Sequence, residues 1–258
     1  MRRVVLAATI SLAVYAAACA RSPRAVPLEG DAAGVRASTG NPDEMAPPNT
    51  LTSRERGDGW KLLFDGKSLD GWQRYDGAPI TAGWKAMDGA LTRAERGGSD
   101  IVTTRKYRNF ELALEWKLSP EGPPGNSGIF YNVIDTGGIY WGAPEMQILD
   151  DARHGDGKSE LTSTGANYAI NAVPHGTAKP VGEWNAVRIV KRGDHIEHWL
   201  NGKKVVEYEL GSADWKARVA ASKFKDKALY GTAREGRIGL QEHGSFVAFR
   251  NIRIKELK

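Results

Sequence analysis

The stretch FELALEWKL, residues 110–118, sets Phe110, Leu112, Leu114, Trp116 and Leu118 in strict alternation with Glu111, Ala113, Glu115 and Lys117. Successive side chains of a strand point to opposite faces, so this period of two predicts a half-buried β-strand with one apolar and one polar side. Farther on, residues 185–210 carry two hairpin signals, Gly193-Asp194 and Asn201-Gly202, each between strand-forming runs. Three consecutive antiparallel strands follow from them. GRIGLQEHG (236–244) and SFVAFRNIRIKEL (245–257) predict two final strands joined near His243-Gly244. Only Ala213–Phe224, with Ser212 placed to cap it, reads as a helix. Many short strands, Gly-rich turns and one short helix predict an all-β fold of two packed antiparallel sheets.

The chain begins with Arg2-Arg3, an apolar run from Val4 to about Tyr15, and Ala16-Ala17-Ala18-Cys19. This reads as an export signal over residues 1–18, too short for a membrane span of about 20 apolar residues. The one cysteine among 258 residues stands at the cleavage junction, which predicts a bacterial lipoprotein lipidated at Cys19, in the periplasm or on the cell envelope. Position 16 is Ala, where a lipoprotein signal usually has Leu, and the alternative is plain secretion. A lone cysteine excludes an internal disulfide. Residues 19–56 are rich in Ala, Pro, Gly and Asn without hydrophobic period, and are expected to form a flexible tether. Residues 57–258 are long enough for one all-β domain. The formal charge of +5 is spread among acidic residues, which argues against a nucleic-acid partner. A membrane is expected as a partner only through the lipid.

Candidate site residues come from APEMQILDD, residues 143–151. Strand parity puts Glu145 and Gln147 on one face, and Met146, Ile148 and Asp150 on the other. Glu145 and Asp150 therefore cannot form the carboxylate pair of a conventional glycosidase, which needs about 5.5 Å or 6.5–9.5 Å between its members. In GLQEHG the same parity sets Gln241 and His243 together. The eight tryptophans suit sugar stacking, but Trp72 and Trp116 sit where core residues belong, and only Trp141, in the Gly-rich TGGIYWGAP, stands apart. The loop LDDARHGDGK gathers Asp150, Asp151, His154 and Asp156, which could hold a divalent cation such as calcium. Its spacing is not that of an EF-hand, so a polar surface loop and no cofactor are expected.

Taken in order, GWKLLFDGKSLDGWQ, YRNFELALEWKL, NSGIFYNV, PEMQILDD, TGANYAI, PVGEWNAVRIV, IEHWLNGKKVVEYE, SKF and GLQEHG resemble the 3-keto-disaccharide hydrolase family, over about residues 58–257. The resemblance implies a concanavalin A-like jelly roll acting on glycosides whose glucose ring carries a ketone at C3. Such a ketone acidifies the hydrogen on C2, so the C1 substituent can leave by elimination, followed or not by addition of water. That chemistry needs a base near C2, donors for the enolate oxygen and an acid for the leaving oxygen. Glu145 and His243 are the candidate catalytic pair on the concave sheet. Gln147, Gln241, Lys223, Tyr131 and Trp141 are the candidate substrate contacts, although Tyr131 shares a strand face with Ile129 and Val133, as a core residue would. The alternatives are a noncatalytic carbohydrate-binding module and, against the parity argument, a conventional glycosidase.

Overall fold

A computed structural model describes residues 46–258 apart from Arg96. The export signal, Cys19 and residues 19–45 of the tether lie outside the described residues. Among the described residues thirteen strands run in chain order: β1 (Trp60–Leu62), β2 (Trp72–Arg74), β3 (Trp84–Met87), β4 (Ala90–Arg93), β5 (Ile101–Thr103), β6 (Phe110–Leu118), β7 (Asn126–Val133), β8 (Glu145–Leu149), β9 (Asn185–Arg192), β10 (His195–Leu200), β11 (Lys203–Glu209), β12 (Arg237–Leu240) and β13 (Val247–Glu256). Two short α-helices join them, α1 (Ser53–Gly57) and α2 (Ala213–Ala221).

The alternating stretch is β6, and its five apolar residues are all buried while the residues between them are buried less completely. Each such side chain contributes about 1.5–3 kcal/mol by leaving water. Strand β6 lies between β9 and β13 in an eight-stranded sheet ordered β11-β10-β9-β6-β13-β4-β3, with β1 also paired to β13. A five-stranded sheet ordered β2-β5-β12-β7-β8 packs against it, giving the antiparallel jelly roll that the sequence implied. Both hairpins form: Gly193, Asn201 and Gly202 have φ of 59°, 50° and 82°, the left-handed conformations that such tight turns require. The last two strands fall in different sheets, so the turn at His243-Gly244 carries the chain from one layer to the other.

Two boundaries differ from the sequence reading. Helix α2 ends at Ala221, leaving Lys223 and Phe224 in the turn beyond it. Ser222 already has extended backbone, and its hydroxyl donates to the Val219 carbonyl, closing the last turn early. The tether's last residues are docked. Asn49 is buried, its N–H donates to Asn251 Oδ1 (2.6 Å), and the Asn251 N–H donates to Asn49 Oδ1 (2.8 Å). Thr52 and Glu55 form a reciprocal capping box on α1, and Glu55 pairs with Arg253 of β13. A single helical turn has no room for a 3.6-residue period, so composition alone read this segment as linker.

Candidate active site

The inner face of β7 and β8 supplies Ile129, Tyr131, Met146 and Ile148 to the core between the sheets. The opposite face is the one that matters for chemistry. Register pairs Gly128 with Gln147 and Phe130 with Glu145, so Glu145 and Gln147 stand together on the outer face, as parity requires. Both are almost fully buried, at 5% and 2% exposure. Gly128 makes this possible, because a Cβ there would lie 1.9 Å from Glu145 Oε1. The carboxyl group occupies the space of a missing side chain.

Segment 164–168 closes the free edge of β8. The Gly165 N–H donates to the Gln147 carbonyl (2.8 Å), the Gln147 N–H to the Ala166 carbonyl (3.0 Å), and the Tyr168 N–H to the Glu145 carbonyl (3.0 Å). TGANY is therefore an edge cover that brings the Tyr168 ring over the site. Its hydroxyl donates to Asp156 Oδ2 (3.2 Å), and the Lys223 ammonium lies 4.2 Å from the ring centroid. On the other flank, strand β12 stops at Leu240, yet Gln241 and His243 still reach the cleft, because the Gln241 N–H continues the ladder to the Gly128 carbonyl (2.9 Å). The resulting cleft holds about 340 Å³, at the lower end of the range for small-molecule sites.

Five sequence candidates thus meet in one cleft: Glu145, Gln147, Gln241, His243 and Lys223. Two do not. Tyr131 points into the core, where its hydroxyl contacts His198 Nε2 (2.8 Å) and the Tyr208 hydroxyl (2.5 Å), a placement its apolar strand neighbours foretold. Trp141 is exposed, set against Gly137 and Gly138 with Lys227 over its ring, and lines a neighbouring depression. Its neighbour Tyr140 enters the cleft instead. The cation candidates do not converge: Asp150 is buried and paired with Arg153 (2.5 Å), His154 Nδ1 accepts the Asp156 N–H (3.1 Å), and the Asp156 side chain turns to Tyr168. Among the described residues the one cluster with ligand-like proximity is His195, Glu197 and Glu207, remote in sequence from that loop.

Sequence reasoning missed Asn126, Tyr140, Tyr168 and the site role of Asp156, all of which line the cleft. Asn126 was within reach of the parity argument, since it is two residues from Gly128 on the same strand face. Tyr140, Tyr168 and Asp156 are brought in by loops whose paths no periodicity encodes.

The electrostatics of the cleft are uneven. Burial pushes the Glu145 carboxyl up to about 8, reinforced by the charge of Asp100 and opposed by Lys223. Burial also raises Asp100 to about 6, and Tyr168 to about 12 with help from Asp156. Among the described residues, three buried acceptors of cleft-lining side chains have no partner: Glu145 Oε1, Asn126 Oδ1 and Gln241 Oε1. Buried acceptors left open are costly, so their concentration at one cleft marks a place for a ligand rich in hydroxyl donors.

A family model described as the 3-keto-alpha-glucoside-1,2-lyase-like domain matches residues 59–255. The chain belongs to that family. A relative from Bacteroides thetaiotaomicron named 3-keto-disaccharide hydrolase is 39% identical over 187 residues, a match spanning 62% of this chain and 62% of the relative's length. Two crystal structures from Parabacteroides distasonis, both of provisionally named glycosyl hydrolases, are similar throughout the fold. One is 34% identical with a TM-score of 0.75, covering 82% of this chain and 100% of that one. The other is 30% identical with a TM-score of 0.60, covering 77% and 99%. Family membership accounts for the order of the motifs, and the geometry above says what several of them do: NSGIFYNV and PEMQILDD build the floor, TGANYAI the edge cover, and GLQEHG the flank.

Proposed function

We propose that this protein is an enzyme that cleaves 3-keto-glycosides, removing the proton at C2 and expelling the substituent at C1. The observation that carries this reading is Glu145, a cleft-lining carboxyl group that is almost fully buried, has no partner for Oε1 among the described residues and is pushed by burial up to about 8. A protonated carboxyl donates to a leaving oxygen, and a carbohydrate-binding module has no need of one. The names of the family and of the Bacteroides relative supply the substrate class.

In the proposed sequence, His243 takes the C2 proton. The C–H electron pair forms the C2–C3 double bond of an enolate, whose oxygen is stabilised by the Lys223 ammonium. Collapse of the enolate restores the C3 carbonyl, forms a C1–C2 double bond and breaks the C1–O bond. Glu145 passes its proton to the departing oxygen. Addition of water across C1–C2 then returns the free 3-keto sugar, with Glu145 reprotonated in step with release of the proton from His243. Asn126, Gln147 and Gln241 hold the ring hydroxyls.

The test is incubation with 3-keto-lactose or 3-keto-trehalose beside the unoxidised sugars, in deuterated water, followed by mass spectrometry. Only the keto sugars should be cleaved, with deuterium gained at C2. Cleavage that retains the original C2 hydrogen in every product would point to direct displacement, and binding without cleavage to a carbohydrate-binding module. We further propose export and lipidation at Cys19. Cys19→Ala should release the protein from membranes, and equal partitioning of both forms would remove the anchor.

A further inference from the structure

Register extends the site one strand beyond the residues that touch the cleft. Leu240 of β12 pairs with Ile101 of β5 on one side and with Ile129 of β7 on the other. One step outward, Asp100, Gln241, Gly128 and Gln147 therefore form a single row across four strands, all on the outer face. Glu145 leans its carboxyl group into that row over Gly128. Asp100 is thus the second carboxyl group on the same surface.

Its contacts are specific. Asp100 Oδ1 accepts the N–H of Glu242, the residue between Gln241 and His243 (2.8 Å), and the Asp100 carbonyl accepts the Tyr75 N–H (2.8 Å). The Glu242 side chain is drawn away to the buried Arg93 and to the Gly244 N–H (3.0 Å). Arg93 therefore neutralises Glu242, and the charge of Asp100 is left to act on the cleft. Ser245, which exchanges bonds with the Asn126 backbone, holds the far end of the same turn (2.7 and 2.9 Å).

We infer that Asp100 is a positioning residue of this site: its carboxylate fixes the turn that presents Gln241 and His243, and its negative charge keeps the proton on Glu145. The role of that proton rests on the function proposed above, whereas the charge coupling does not. The other groups facing Glu145 are His243 from the turn after β12, Asp156 and Tyr168 from the loop after β8, and Lys223 from the turn after α2, with the buried phenols of Tyr131 and Tyr230 behind it. Asp100 itself faces Glu242 and His243. Of these, Asp100 exerts the largest charge effect on Glu145, and its charge is in place first, since it ionises at about 6 against about 8.

The experiment is a carbon-13 NMR titration of the full chain labelled at glutamate Cδ and aspartate Cγ, with Glu145→Gln and Asp100→Asn assigning the two signals. In the wild type, Asp100 should titrate near 6 and Glu145 near 8. Asp100→Asn keeps the Oδ1 acceptor for Glu242 and removes only the charge, so the Glu145 midpoint should fall by about one unit. An unchanged Glu145 midpoint in that variant overturns the inference. If the variant does not fold, the wild-type titration still decides, because an Asp100 midpoint above that of Glu145 overturns it as well. On 3-keto-lactose the alkaline limb of the rate profile should move down with the midpoint. Absence of keto-sugar turnover in the wild type, with the NMR shift intact, would sink the proposed function and leave the Asp100 coupling standing.

Discussion

Two buried polar clusters lie on opposite faces of β7 and β8, and they differ in whether their bonding is complete. Facing inward, Tyr131 joins His198 and Tyr208 across the two sheets, and His198 Nδ1 contacts the Gly165 carbonyl (3.1 Å). Facing outward, Glu145, Asn126 and Gln241 each retain an acceptor without a partner among the described residues. Burial moves the titrations in opposite senses, pushing His198 down to about 4 and Glu145 up to about 8, because in each case it disfavours the charged form. The inner cluster uses its polarity to lock two sheets together. The outer one leaves its polarity unsatisfied, which destabilises the free protein and suits a ligand.

The sharpest way to break this contrast is Glu145→Gln. If the outer cluster is built for chemistry, turnover should fall about 10²-fold or more, and the loss of rate above pH 8 should disappear with it. The same variant should be more stable than the wild type under alkaline conditions. A carboxyl group raised to about 8 in the fold stabilises fully only below its unfolded value, and that stability is lost as pH rises through 8. At pH 9 the variant should therefore melt higher, by on the order of 5 °C, with the gap closing toward pH 5. A variant that is both inactive and less stable at pH 9 would place Glu145 in the structural class with Tyr131.

A smaller effect is expected from Gly128→Ala, whose Cβ would take the place of the Glu145 carboxyl group. Turnover should drop about tenfold or more, with a secondary loss of stability. Wild-type rates in this variant would mean that the carboxyl group acts from elsewhere.

On the inner side, Tyr131→Phe should leave turnover within about twofold and lower stability by about 1–3 kcal/mol, because His198 and Tyr208 lose a partner in a dry core. Urea unfolding would measure it. The sign of the pH dependence is the reverse of that at Glu145: the neutral His198 stabilises above its unfolded value near 6.5, and this is lost as pH falls toward 4.

The smallest expected change is at the docked end of the tether. Asn49→Ala removes the Oδ1 acceptor of the Asn251 N–H and the Nδ2 bond to the Gly89 carbonyl, leaves the Asn49 N–H bonded to Asn251, and should cost about 1 kcal/mol, without effect on turnover. An unchanged melting temperature would return residues 49–56 to the tether, where composition placed them.

What the sequence determined by itself was whatever repeats along a strand. The period of two in residues 110–118 gave the sheet and its buried face, the left-handed turn residues gave the hairpins, and parity set Glu145 with Gln147 and Gln241 with His243. These are local rules, fixed by backbone geometry within a few residues. Tertiary structure decided which face of each strand pair met the other sheet, and so sent Tyr131 inward and Glu145 outward. It decided the loops as well: Tyr168 and Asp156 arrive because segment 164–168 bonds to the edge of β8, and Tyr140 takes the place expected of Trp141. It also placed Asp100 beside Gln241, 141 residues away in the chain, because β5 pairs with β12. Strand order and loop path depend on contacts between distant residues, and no period in the chain records them.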